Sequence, residues 1–245
     1  MEKNIIYLGD IHGNFTQLRA YINRLNISDT TIIQVGDFGI GFTTKKNDEE
    51  ILFELNKFLE SKTIIMLAIR GNHDDPFYFN GDHMYSNLKL LPDYTVMDIE
   101  DEKHLFVGGA ISIDRKYRIE NDKVYDRMGV AKNSYWKDEV FVLNKKKLNK
   151  IKGIDVLITH TTPDWCFPVN YGSFPEIVRS FANDDPSLIF DLTMEREELG
   201  KFFSILSENN NIKHHFYGHF HNSHTVENEG CTHHLLGIFE FKQLK

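Results

Sequence analysis

Cysteine is scarce in this chain. Cys166 and Cys231 are the only two in 245 residues, too few for a disulfide framework and without the paired spacing of a structural zinc site. Both thiols are expected to be free, in a reducing compartment. Long apolar runs are missing too. The first, Ile5 to Leu8, spans only four positions, whereas a membrane-spanning helix needs about 18 and the apolar part of a secretory signal about 7–15. The expectation is a soluble, cytoplasmic protein with no membrane partner. Positive charge is in deficit, with 28 Lys+Arg against 36 Asp+Glu and a formal net charge of -8. A negative field repels polyanions, which argues against tight binding of duplex nucleic acid. The densest basic run (Lys145, Lys146, Lys147, Lys150, Lys152) reads as a solvated helix face. No internal repeat or low-complexity stretch is present.

Hydrophobic residues make up 41% of the chain, enough to bury one large core, and a single domain over residues 1–245 is expected. The first third alternates strand and helix patterns. Asn4 to Leu8 reads as a strand, then Phe15, Leu18, Ile22 and Leu25 recur at helical spacing behind an Asn14 cap. Thr31 to Val35 is a second strand. Ile51, Leu52, Leu55, Phe58 and Leu59 mark a second helix starting near Asn47 or Asp48, and Thr63 to Ile69 is a third strand. This β-α-β-α-β order implies parallel strands with right-handed crossovers. Strand-like runs then follow without helices between them (Thr95 to Ile99, Leu105 to Val107, Ala110 to Ile113), which suggests an antiparallel section and a second sheet. Asp114 to Asp138 reads as an irregular surface excursion. A lysine-rich helix and a buried strand, Asp155 to Thr159, come next. Trp165 to Asp191 reads as loops with a short helix, Met194 to Leu206 as a helix, and His215 to Tyr217 and Leu235 to Phe239 as closing strands.

Metal-capable side chains begin where strand patterns stop. The clusters are Gly9-Asp10-Ile11-His12, Gly36-Asp37, Gly71-Asn72-His73-Asp74, His160 and Gly218-His219-Phe220-His221. In α/β sheets, ligands bind beyond the carboxyl ends of strands, where several loops converge. Asp, His and Asn offer oxygen and imidazole ligands suited to Mn, Fe or Zn, and no thiolate is among them. Residues i and i+2 of an extended segment face one side, so Asp10 and His12, or His219 and His221, can reach one ion. A lone Asp-Gly or Gly-Asn pair is ordinarily a turn; five clusters in order at five strand ends are not. His104, His214, His215, His233 and His234 match no motif and read as structural.

As a set, these residues resemble the calcineurin-like metallophosphoesterase superfamily, whose pattern runs D-x-H, G-D, G-N-H-[DE], a histidine after a strand, and G-H-x-H. The resemblance spans most of the chain. It implies an α/β fold, a four-layer α/β/β/α sandwich of two mixed sheets flanked by helices. It also implies two divalent metal ions (Mn, Fe or Zn), one held by Asp10, His12, Asp37 and His221, the other by Asp37, Asn72, His160 and His219. His73 would be the proton donor to the leaving alkoxide. The implied reaction is hydrolysis of a phosphomonoester or phosphodiester by water activated between the metals, with a phosphate ester, a nucleotide among the candidates, as substrate. The resemblance identifies no protein partner.

The departures from the pattern bear on substrate. The protein Ser/Thr phosphatase branch has G-D-x-x-D-R-G, but this chain has Gly36-Asp37-Phe38-Gly39-Ile40-Gly41-Phe42, without the Asp-Arg pair that grips phosphate and orients the acid. A Ser/Thr-type phosphatase therefore stands as the alternative, and a scaffold without catalysis as a more remote one, since every ligand position is filled. An acidic partner for His73 is sought in Asp74 or Asp75. The missing phosphate-binding cation is sought in Arg115 or Arg118, because a guanidinium donates two parallel hydrogen bonds to phosphate. Trp165, Phe167, Tyr171 and Phe174 follow His160 and read first as core or lid, with stacking on a base as the other option. Cys166 is given no catalytic role.

Overall fold

Each apolar run in the first third of the chain is a strand. In this computed structural model, which describes residues 4–130, 132–169 and 174–244, β1 (Ile5–Leu8), β2 (Thr30–Gln34) and β3 (Ile64–Ala68) pair in parallel. They are linked by α1 (Phe15–Arg24) and α2 (Lys45–Ser61). Asn14 caps α1 by accepting the N–H of Gln17. The cap of α2 is Thr44, earlier in the chain than Asn47 or Asp48. Asp48 is buried instead, accepting from the hydroxyls of Thr43 at 2.6 Å and Tyr78 at 3.0 Å. β4 (Leu88–Leu90) extends the sheet beside β3, and β11 (Phe241–Gln243) closes its other edge antiparallel to β1.

The second sheet runs in the order β5 (Thr95–Ile99), β6 (Glu102–Val107), β7 (Val156–Thr159), β8 (His214–Tyr217), β10 (Cys231–Leu235), β9 (His224–Asn228). Its four central strands are parallel and its two edge strands antiparallel.

Side chains alternate faces along a strand, and that alternation builds the layers. Ile5, Tyr7, Ile33 and Val35 point from the first sheet onto Phe106, Val156, Ile158 and Phe216 of the second. Ile6, Leu8 and Ile32 point the other way, onto Leu18 and Ile22 of α1 and Leu52, Leu55 and Leu59 of α2. On the far side, Leu105, Val107 and Leu157 meet Leu199, Phe202 and Leu206 of α6 (Leu188–Ser207). The result is the expected α/β/β/α sandwich. Burying each such side chain contributes about 1.5–3 kcal/mol, so the sheet-to-sheet contact fixes the two sets of strand ends relative to one another.

Several expectations are corrected. Ala110 to Ile113 is not a strand. Its backbone is held by carboxylates and a carbonyl: Ala110 N–H donates to the Glu139 carbonyl at 3.1 Å, and Ser112 N–H to the Glu139 carboxylate at 2.9 Å. Asp114 to Asp138 is not irregular throughout, because it contains α3 (Arg115–Arg127). Only Arg118 is buried on that helix, so it lacks the apolar stripe that makes a helix visible in sequence. The lysine-rich helix, α4, is just Lys145–Leu148, and α5 is Glu176–Ala182. α6 begins at Leu188 rather than Met194, and β10 stops at Leu235 where a strand to Phe239 was expected. β9, exposed at every position, carried no apolar signal. Among the described residues no helix is long and apolar enough to cross a membrane.

Candidate metal centre

Three loops leave the carboxyl ends of β1, β2 and β3, and three more leave β6, β7 and β8. Because the sheets face each other, the six loops meet. Asp10 and His12 come from the first, Asp37 from the second, and Asn72 with His73 from the third; His160 follows β7, and His219 and His221 follow β8. Asp10, His12, Asp37 and His221 each bring a ligand atom within 4.8 Å of the others. The remaining three gather on the other side of Asp37. His160 Nε2 is 3.1 Å from Asp37 Oδ1 and 3.1 Å from Asn72 Oδ1, and His219 Nδ1 is 2.8 Å from the same Asn72 oxygen.

The backbone is bent to achieve this. His12, Asp37, His219 and His221 all have positive φ, between 45° and 70°, a costly conformation for residues other than glycine that clusters at functional sites. Gly71 and Gly218 leave the necessary room. A Cβ at Gly71 would collide with Asp37 Oδ1, and one at Gly218 with Asp10 Oδ1.

Hydrogen bonds around the cluster aim its ligand atoms. His160 Nδ1 lies 2.9 Å from the Val35 carbonyl, so that nitrogen donates and Nε2 is the ring nitrogen aimed into the cluster. Asn72 Nδ2 donates to Ser112 Oγ at 2.9 Å, which turns the amide oxygen toward His160 and His219. Asp37 Oδ1 accepts the His73 N–H at 2.8 Å, and Asp10 Oδ2 the His219 N–H at 3.0 Å.

The electrostatics call for a cation. Asp10 and Asp37 are buried, and among the described residues neither is paired with Lys or Arg. Burial pushes the Asp10 carboxyl well above the usual carboxylate range, with Asp37 adding to the rise and His160 opposing it. Burial also pushes Asp37 up, but the imidazoles of His160, His73 and His12 outweigh it and hold that group well below the range. His160 is driven down by burial and lifted, chiefly by Asp37, to about 9. Burial lowers His12 to about 4 and lowers His219 and His221 as well. Three neutral imidazoles, a fourth drawn to Asp37, and two buried carboxylates with no Lys or Arg partner among the described residues are a donor set that fits divalent cations.

The chain matches the calcineurin-like phosphoesterases over residues 3–223. It belongs to that family. No curated protein matches it. Two of the solved structures similar to it are distant. The phosphopantetheinyl hydrolase (PptH) of Mycobacterium tuberculosis is 16% identical with a TM-score of 0.49, over 97% of this chain and 90% of that one. GAP50, the anchor in the inner membrane complex of Plasmodium, is 15% identical with a TM-score of 0.42, over 96% of this chain and 71% of that one.

Beside the metal-capable cluster of this phosphoesterase, His73 is half-buried and lines a cavity of about 550 Å³. Neither neighbour named from the sequence is its acidic partner. The Asp74 carboxylate accepts backbone N–H groups of Phe38, Gly39, Ile40 and Gly71, and Asp75 caps a short turn by accepting from Phe77 at 3.0 Å. The acidic groups whose charge acts on His73 are Asp37 and, more weakly, Asp114, which lines the same cavity. For that role the sequence pointed to Asp74 or Asp75 instead.

Both arginines proposed for phosphate are engaged elsewhere. Arg115 donates to Asp185 at 2.6 Å, Asp191 at 2.5 Å and Ser187 at 2.9 Å, tying α3 to the start of α6. Arg118 is buried and donates to Asp114 at 3.0 Å, to the Asn72 and Ser134 carbonyls, and to Ser112 Oγ. It supports the Asn72 loop from behind. Of the aromatics, Trp165 packs edge-on against Phe203 and Phe167 lies over His224; Tyr171 lies outside the described residues. His104 bonds Tyr7 at 3.1 Å, and His215 pairs with His233 at 3.0 Å, away from the cluster.

Proposed function

We propose that this calcineurin-like phosphoesterase is a hydrolase of phosphomonoesters or phosphodiesters that works with two divalent metal ions. The observation that carries the reading is the convergence of seven Asp, Asn and His ligand groups, among them two buried carboxylates that have no Lys or Arg partner among the described residues. Asp10, His12, Asp37 and His221 would hold one ion; Asp37, Asn72, His160 and His219 would hold the other, with Asp37 shared. Bound there, divalent ions supply the charge that clamps phosphoryl oxygens and lowers the pKa of water.

The protein's own groups do the rest. The bonds from His160 to Val35 and from Asn72 to Ser112 preset the ligand directions, so no reorganisation is needed when substrate arrives. His73 opens on the cavity and gives its proton to the departing oxygen; burial lowers its pKa, with Arg118 adding to the fall, and Asp37 and then Asp114 oppose it. The donor set without thiolate suits Mn, Fe or Zn.

Metal content together with ester hydrolysis tests this. Protein dialysed against Mn²⁺ is expected to retain about two ions per chain, as in other two-metal sites, and to cut bis(p-nitrophenyl) phosphate or p-nitrophenyl phosphate. Asp37→Ala is expected to lose both properties. Wild-type protein that holds only trace metal and leaves both esters intact would sink the reading.

A further inference from the structure

The cavity is larger than a phosphoryl group requires. About 550 Å³ falls among pockets that take whole small molecules, roughly 300–1,000 Å³. One end is the metal-capable cluster, with His73 and Asp114. Most of the remaining wall, from α5, α6 and the loop after β6, is apolar, including Ile113, Val178, Phe181 and Leu192. A small, fully hydrated alcohol has no use for such a wall.

One charged group stands in it. Arg196 of α6 lines the cavity half-buried, its guanidinium carbon 4.2 Å from the centre of the Phe174 ring. Stacking on a ring occupies the face of a guanidinium and leaves its N–H edge to donate. Arg70, Arg115 and Arg118 all end on carboxylates, whereas among the described residues Arg196 forms no ion pair. The acidic groups it feels are Glu195 and Asp164. Glu195 accepts the Ile111 N–H, and Asp164 is exposed. A partly desolvated cation without an anion is unfavourable, and an anionic ligand relieves that cost.

We propose that Arg196 binds a second anionic group on the substrate, carried by an apolar body that fills the cavity. The preferred substrates are then phosphate esters of amphiphilic alcohols, with an aromatic or aliphatic body bearing a carboxylate or a further phosphate. The proposal rests on the phosphoesterase reading of the adjacent cluster, which places the scissile phosphate against that cluster.

Binding of uncleavable ligands tests it apart from catalysis. Two phosphonates, biphenylylmethyl phosphonate and its carboxylated counterpart, are titrated calorimetrically into Mn²⁺-dialysed protein. Wild type is expected to bind the carboxylated ligand about tenfold more tightly, the effect of one charge-assisted contact. That ratio should fall to near one in Arg196→Gln and be partly kept in Arg196→Lys. A wild-type ratio near one overturns the proposal even if the variants do not fold, and so does a ratio unchanged in Arg196→Gln. If metal is retained but neither phosphonate binds, the cavity is not the substrate site and the proposal falls. Missing metal and missing ester hydrolysis, measured separately, count against the hydrolase reading instead.

Discussion

The carboxylate of Asp74 accepts the backbone N–H of Gly39 at 2.6 Å, across 35 residues of sequence. It also takes the N–H groups of Phe38, Ile40 and Gly71. One buried side chain thereby joins the loop carrying Asp37 to the loop carrying Asn72 and His73. Asp74→Ala would strand four backbone donors, and leaving even one buried donor unmade costs about 1–3 kcal/mol. A loss on the order of 3 kcal/mol or more is expected in urea unfolding, with a smaller loss for Asp74→Asn, which keeps one acceptor oxygen. A change below about 1 kcal/mol for the alanine variant would mean that the two loops are held by something else.

His73 sits in the cavity next to the cluster, yet its side chain belongs to neither ligand set. Its role as proton donor is separable from metal binding. His73→Gln is expected to keep the wild-type metal content while kcat falls by about 10²–10⁴ on an alkyl or phenyl phosphate. The fall should be smaller on p-nitrophenyl phosphate, whose leaving group departs readily as an anion. Equal losses on both substrates, or metal loss in the variant, would remove the proton-donor role.

The metal-capable residues were legible because each lies within a few positions of a strand's end, where a polar ligand group follows an apolar run, with a glycine between them everywhere but at His160. The groups that orient them were not. Ser112 reaches Asn72 across 40 residues, and Asp114 faces His73 because a loop without strand structure is pinned by Glu139 and Glu195. Buried glutamates read as surface charge in a sequence, since most glutamates are exposed. The arginines were misjudged for a related reason. Arg115 and Arg118 stand near the right strand end, but the carboxylates that claim Arg115 come from 70 and 76 residues away. Arg196 lies inside a helix with no motif around it, and only the packing of α5 against α6 brings it to the cavity.

Arg115 ties α3 to the start of α6 through Asp185, just before that helix, and Asp191 in its first turn, with its own side chain 14% exposed and that of Asp185 12%. Its contribution is to stability. Arg115→Ala removes charge-assisted bonds from a largely buried pair and is expected to cost about 2 kcal/mol in chemical unfolding. Since it makes no contact with the cavity, kcat/KM for aryl phosphates should remain within about threefold of wild type, a barrier change under about 0.7 kcal/mol. A tenfold drop in kcat/KM with stability unchanged would return Arg115 to the substrate.

Glu195 is buried on α6, and one of its carboxylate oxygens has no hydrogen-bond partner among the described residues. Burial pushes this group up to about 8; the Ile111 N–H and Arg196 oppose the rise, Glu139 adds to it and His160 counters. In the unfolded chain a glutamate titrates near its ordinary value, about 4.3. Between those two values the folded state holds the proton and the unfolded state does not, so stability declines as pH increases. The stabilisation from this group is complete below the unfolded value and is lost as pH rises through about 8. Glu195→Gln keeps the shape and cannot ionise. Thermal unfolding from pH 5 to pH 9 is expected to show the variant gaining on wild type steadily as pH rises, with the largest advantage at the alkaline end. If the two melting profiles run parallel across that range, the Glu195 carboxyl is not held protonated in the fold, and the Ile111 loop is anchored by a carboxylate instead.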